Sequence, residues 1–216
     1  MAVELYDEHE QGERVRNWIK ENGFAVVMGL VLAFGGIFGF RFWQDHQLSQ
    51  RLLAADYFSL IQAELEAGQT DSALEQFERM RSEVGRSPFV GLSALALASA
   101  QIERGRLEPA AQLYRDILAN GQMESLWPLT RLRLARVLEA QGDLPAALAL
   151  LDRERVPAGF AAIWAETRGD LLLGLGRLDE ARLAYQDALE AGGGQGMGQR
   201  LLQMKLDATG PGEARS

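Results

Sequence analysis

The chain has 216 residues, 47% of them hydrophobic, a net charge of −8 and no cysteine. An acidic balance argues against nucleic acid, which needs a basic footprint, and the lack of cysteine excludes disulfides, thiolate nucleophiles and the usual zinc and iron–sulfur sites. The two histidines, His9 and His46, lie far apart without a ligand cluster around them, and no serine sits in a strand–turn–helix context, so neither an enzyme nor a cofactor is expected.

Residues 1–22 are polar and acidic, with six acids against Arg14, Arg16 and Lys20, and a helix is expected to begin near "ERVRNWIKENG". "GFAVVMGLVLAFGGIFGF", residues 23–40, then runs without one charged or hydrogen-bonding side chain. Eighteen residues of helix rise roughly 27 Å, close to the hydrocarbon thickness of a bilayer. A core helix of a small domain carries a polar stripe, which this segment lacks. A cleaved signal peptide has a short basic start and small residues after its apolar core, whereas here 22 residues precede the core and "FRFWQDH" follows it. The segment therefore reads as a retained anchor over residues 23–43.

Trp18, Phe42 and Trp43 bracket that anchor at headgroup level, and Lys20 and Arg41 can snorkel outward from its ends. The spacing Gly35-x-x-x-Gly39 leaves a groove where another membrane helix can approach, so these glycines are a candidate membrane-helix contact. Arg14, Arg16 and Lys20 before the span outnumber Arg41 and Arg51 after it, a thin bias toward a cytoplasmic N-terminus.

After the anchor, Leu48, Leu52, Ala55, Phe58, Ile61 and Leu65 keep helical spacing, and no breaker intervenes before Gly68. The helix is expected to run on from the anchor. The chain then repeats itself: "GQTDSALEQF" from Gly68, "GRLEPAAQLY" from Gly105, "GDLPAALALL" from Gly142 and "GRLDEARLAY" from Gly176, at intervals of 37, 37 and 34 residues. Alanine falls five residues after each glycine (Ala73, Ala110, Ala147, Ala181) and a large apolar residue nine after it (Phe77, Tyr114, Leu151, Tyr185). A fixed period near 34 marks stacked helical hairpins, and small-then-large spacing lets the two helices of a hairpin approach and lock. The fold class is all-α, an N-terminal membrane helix followed by a hairpin superhelix. Gly192 to Gly198 follows a helix and lacks a P-loop lysine, so it reads as an interhelical turn. A closing helix is expected around Gln199 to Leu206, with the repeat domain over residues 44–207 and a flexible tail over 208–216.

These positions resemble the tetratricopeptide repeat, whose second helix carries the glycine, alanine and tyrosine or phenylalanine positions, over roughly residues 52 to 191. Two departures stand out. The tryptophan of the pattern is replaced by Ala94, Arg131 and Ala165, and the 37-residue intervals imply longer turns and an irregular stack. Counting back from each glycine by the tetratricopeptide pattern places Leu95, Ser99, Ile102, Leu132, Arg136, Glu139, Ile163, Glu166 and Asp170 on a concave groove. That mixed lining suits an extended peptide or a partner helix. The competing reading for each of these residues is packing against the neighbouring repeat.

"VRNWIKENGFAVVMGLVLAFGGIFGFRFWQDHQ" is more specific, and with "AGFAAIWAETRGDLLLGLGRLDEARLAYQDAL" it resembles the YfgM-like family of ancillary subunits of the bacterial Sec translocon, over about residues 3 to 207. The resemblance implies a single-pass inner-membrane protein with a cytoplasmic N-terminus and a periplasmic repeat domain. It also implies partners: the SecYEG channel, a membrane-anchored periplasmic chaperone of the peptidyl-prolyl isomerase type, and unfolded secretory proteins handed on to chaperones. The alternative is a membrane-anchored assembly scaffold or envelope-stress regulator that never touches translocating chains.

Overall fold

The computed structural model describes residues 4–152, 156–192 and 197–210. Among them every regular element is a helix: α1 (Glu4–Glu66), α2 (Thr70–Val84), α3 (Pro88–Glu103), α4 (Leu107–Ala119), α5 (Trp127–Ala140), α6 (Leu144–Leu151), α7 (Ala161–Gly174), α8 (Leu178–Glu190) and α9 (Met197–Ala208). Short 3-10 segments occupy Gly121–Leu126 and Ala158–Phe160. The chain divides into two units, Met1–Leu52 and Leu53–Ser216, the boundary falling inside α1.

In the first unit, the apolar part of α1 is long enough to cross a membrane and none of its 18-residue apolar window is buried in protein. Trp18, Phe42 and Trp43 are exposed. A Cβ placed on Gly35 or Gly39 meets nothing within 4 Å, so both glycines present open helix surface. The rings of Phe34 and Phe38 stack 6.5 Å apart along one side of the same segment.

The second unit is organised by the glycines that the repeat pattern singled out. Gly68, Gly105, Gly142 and Gly176 all have positive φ, between +72° and +84°. An L side chain there costs about 1–2 kcal/mol, and glycine does not. Each glycine closes the preceding helix by the same pair of bonds. The N–H groups of Gly105 and Arg106 reach the carbonyls of Ile102 and Gln101 at 2.9 and 2.8 Å, and those of Gly176 and Arg177 reach Leu173 and Leu172 at 2.9 Å each. This Schellman closure satisfies carbonyls that the helix end leaves free and turns the chain back into the second helix of a hairpin.

The small-then-large positions fill the seam of each hairpin. Ala73, Ala110, Ala147 and Ala181 are completely buried, and Phe77, Tyr114, Leu151 and Tyr185 are buried beside them. Seven residues before the turn glycines stand Ala98, Ala135 and Gly169. At Gly169 the fit is tightest, because a Cβ there would lie 2.5 Å from Cε1 of Tyr185. Hairpin packs on hairpin in chain order, α2 on α3, α4 on α5, α6 on α7 and α8 on α9. Phe58 of α1 meets Phe89 of α3 with ring centroids 5.4 Å apart.

Two expectations need correction. The first 37-residue interval contains no long turn: α2 is simply longer, 15 residues against 13 in α4, and only Gly85 to Ser87 link it to α3. The second interval is filled by the 3-10 segment Gly121–Leu126, whose Met123 is buried in the core. The stack is also not without its tryptophan. Trp164, one position before Ala165, is buried, and its Nε1 donates to the Leu151 carbonyl at 2.9 Å, which ties α7 to the end of α6.

Candidate functional site

Because the same turn ends each first helix, residues at equal distances before the turn glycines occupy equivalent places on successive helices. Thirteen before lie Leu92, Leu129 and Ile163. Leu92 and Ile163 are 37% and 39% exposed and Leu129 is half-buried, so each first helix offers an aliphatic side chain at this level. Three residues before lie Ile102 and Glu139, both exposed, and six before lie Ser99, Arg136 and Asp170.

The candidate residues divide into three groups. Ile102, Arg136, Glu139 and Ile163 are exposed and available to a partner. Leu95 and Leu132, expected on the groove, are buried. Each first helix packs against the second helices on both sides of it, and an aliphatic side chain ten residues before the turn turns into that seam and leaves water. Ser99, Glu166 and Asp170 are half-buried and engaged within the protein. The Ser99 hydroxyl donates to the Leu95 carbonyl at 3.1 Å and accepts from Nη1 of Arg133 at 3.5 Å, a link between α3 and α5.

Glu166 and Asp170 belong to a polar cluster that their sequence positions did not reveal. Nζ of Lys205 on α9 donates to Oε1 of Glu166 and to Oδ2 of Asp170, both at 2.8 Å, and the Tyr185 hydroxyl donates to Oδ1 of Asp170 at 2.9 Å. Burial draws the Lys205 pKa down, but the hydrogen bonds to Asp170 and Glu166 outweigh it, and the amine is held above its ordinary value. Burial first, and then the bond to Asp170, push the Tyr185 phenol well above its ordinary range. Lys205 and Tyr185 therefore both hold their protons firmly at neutral pH, and neither is poised for proton transfer.

The outer edge of the stack carries a second recurrent device. Three residues after a turn glycine an acid reaches the residue just before the next turn glycine. Asp71 pairs with Arg104, Nη1 to Oδ1 at 3.2 Å, and Glu108 accepts from Nε2 of Gln141 at 3.0 Å. The bond from Arg104, followed by its charge, holds the Asp71 carboxyl below its usual range. Among the described residues no group of three His, Asp or Glu side chains is placed to hold a metal ion. The arrangement offers aliphatic contacts, the free guanidinium of Arg136 and the exposed carboxylate of Glu139, which suit binding of another polypeptide.

A tetratricopeptide repeat-like domain family model matches residues 16–211. The chain is 32% identical over 207 residues to the ancillary SecYEG translocon subunit of Escherichia coli (strain K12), covering 95% of this chain and 98% of that one. It is 30% identical to the ancillary SecYEG translocon subunit of Haemophilus influenzae, covering 96% and 99%. A crystal structure of nearly identical TPR-like repeats from a Podosopora anserina kinesin light chain relative superposes with a TM-score of 0.51 at 18% identity, over 74% of this chain and 85% of that one. That likeness concerns the fold.

Proposed function

The chain belongs to the ancillary SecYEG translocon subunit family, and from that premise we propose that it is a non-enzymatic, membrane-anchored accessory of the Sec translocon. It docks partners on the face of its first helices. The observation that carries this reading is the exposed set Leu92, Ile102, Arg136, Glu139 and Ile163 at three recurring levels of the first helices α3, α5 and α7, with aliphatic anchors beside unpaired charge. In this account α1 crosses the inner membrane once with its N-terminus in the cytoplasm, and the repeats lie in the periplasm. Their partners are a membrane-anchored peptidyl-prolyl isomerase-type chaperone and translocated proteins on their way to chaperones. Holding both in one membrane raises their effective concentration, so weak contacts suffice. The open glycine surface at Gly35 and Gly39 is the contact to another membrane helix.

Two measurements test this. A reporter that is active only after export, fused after residue 216, is active; a stable but silent fusion would place the repeats in the cytoplasm and sink the account. Arg136→Glu reduces co-purification of the chaperone severalfold at unchanged repeat stability, because the side chain is exposed. Unchanged co-purification rules out this face. Site-specific crosslinking in cells separates the accessory from a static scaffold or stress regulator, which would crosslink to its complex and never to nascent secretory protein.

A further inference from the structure

α9 ends as the other first helices do, on a glycine of positive φ, Gly210 at +79°, whose N–H donates to the Asp207 carbonyl at 3.1 Å. Counted from that glycine, α9 falls into the common register. Seven residues before it, where α3, α5 and α7 have the buried Ala98, Ala135 and Gly169, stands the exposed Gln203, with the exposed Gln199 one turn earlier. The two glutamines give α9, the last of the described helices, a polar outer face of the kind that keeps the end of a repeat stack soluble.

Solubility does not account for the other side of α9. Thirteen, nine and six residues before Gly210 stand Met197, Leu201 and Met204, which are 74%, 51% and 67% exposed. Met197 extends the aliphatic level of Leu92, Leu129 and Ile163 by one more helix. Lys205 fixes where this stripe lies. It follows Leu201 by four residues and so shares its side of the helix, and its Nζ is bonded to Glu166 and Asp170 of α7. The stripe therefore runs along α7 and prolongs the docking face.

Met197, Leu201 and Met204 with Ile163 expose roughly 400 Å² of mainly apolar surface, the size of the patches that mark binding sites on monomers. A stable dimer needs about 800 Å² from each partner, so a second copy of this chain is too large an occupant for so small a patch. Two methionines and a leucine adapt to side chains of different shape. We propose that α9 is the apolar end of the docking face and seats a short extended segment of a non-native polypeptide carrying two or three large apolar side chains. This rests on the reading that the first helices dock a partner.

The test uses the full chain in lipid nanodiscs and fluorescently labelled, reduced and carboxymethylated α-lactalbumin as probe, followed by anisotropy. Met197→Gln with Met204→Gln weakens binding at least fivefold at unchanged helix content. Met197→Leu with Met204→Leu keeps it, as does Gln199→Ser with Gln203→Ser. Binding unaffected by the glutamine pair but weakened by Arg136→Glu overturns the role of α9 and leaves the docking face standing. Binding weakened by the glutamine pair but not by Arg136→Glu supports α9 and removes the proposed face. No binding of the probe by the unmodified chain overturns the inference.

Discussion

Gly169→Ala is the sharpest probe of the hairpin seam. A Cβ at this position would lie 2.5 Å from Cε1 and 2.6 Å from Cδ1 of Tyr185, closer than carbon atoms tolerate. The ring has nowhere to go: it is completely buried, and its hydroxyl is tied to Asp170, which is tied in turn to Lys205. Overpacking of this kind costs about 1–3 kcal/mol, and swinging the ring aside forfeits a hydrogen bond to a carboxylate of about 1.5–3 kcal/mol. Alanine in a helix interior returns about 1 kcal/mol relative to glycine. The net expectation is a loss of up to about 2 kcal/mol, or a fall in Tm of up to roughly 8 °C for a domain of this size, where an open site gains. Urea and thermal unfolding by circular dichroism of a chain starting at residue 45 measure it. Gly198→Ala, where a Cβ meets nothing within 4 Å, serves as the propensity control. In a Tyr185→Leu background the cost of Gly169→Ala should shrink by 1 kcal/mol or more. If Gly169→Ala stabilises as much as Gly198→Ala does, the steric argument is wrong.

Lys205→Met should lower the urea midpoint at pH 7. Because the folded pKa of Lys205 is raised, its contribution is fully present below the unfolded value of about 10.4 and fades as the pH rises through the folded value. The gap between wild type and variant therefore closes only in that alkaline range, and a gap that closes near neutral pH would refute the assignment. Gly35→Leu with Gly39→Leu leaves the repeat domain untouched, as neither glycine has a neighbour within 4 Å. It should weaken recovery of SecYEG with the full chain extracted in mild detergent, and full recovery would remove these glycines from the interface.

The repeat architecture was legible because it rests on local chemistry. Gly105 or Gly142 announces a left-handed turn, and Ala110 and Tyr114, or Ala147 and Leu151, announce the seam that follows, all within ten residues. Burial on the first helices was harder to read. α3 is apolar on nearly every side, so counting from Gly105 gave the level of Leu95 but not whether that level faces a neighbour or water. Lys205 was not paired in advance because its carboxylates lie 39 and 35 residues away, and no periodicity joins them. Trp164 was missed as a core residue because the pattern expected it one position later, and a helix absorbs a shift of about 100° when the ring is large and its N–H finds a carbonyl.

The exposed glutamines of α9 bear on how many molecules the chain keeps company with. A hairpin stack is a surface that invites its own continuation: the last helix is shaped to receive another hairpin, and a second molecule carries hairpins of the right kind. Head-to-tail contacts of that sort do not close on themselves and grow into open-ended filaments. Apolar residues in place of Gln199 and Gln203 would give the stack an adhesive end, and in the plane of a membrane, where orientation is shared, growth would face a low entropic barrier. With two amides there instead, the outward side of α9 offers no such apolar end, and its exposed apolar residues Met197, Leu201 and Met204 lie on the other side.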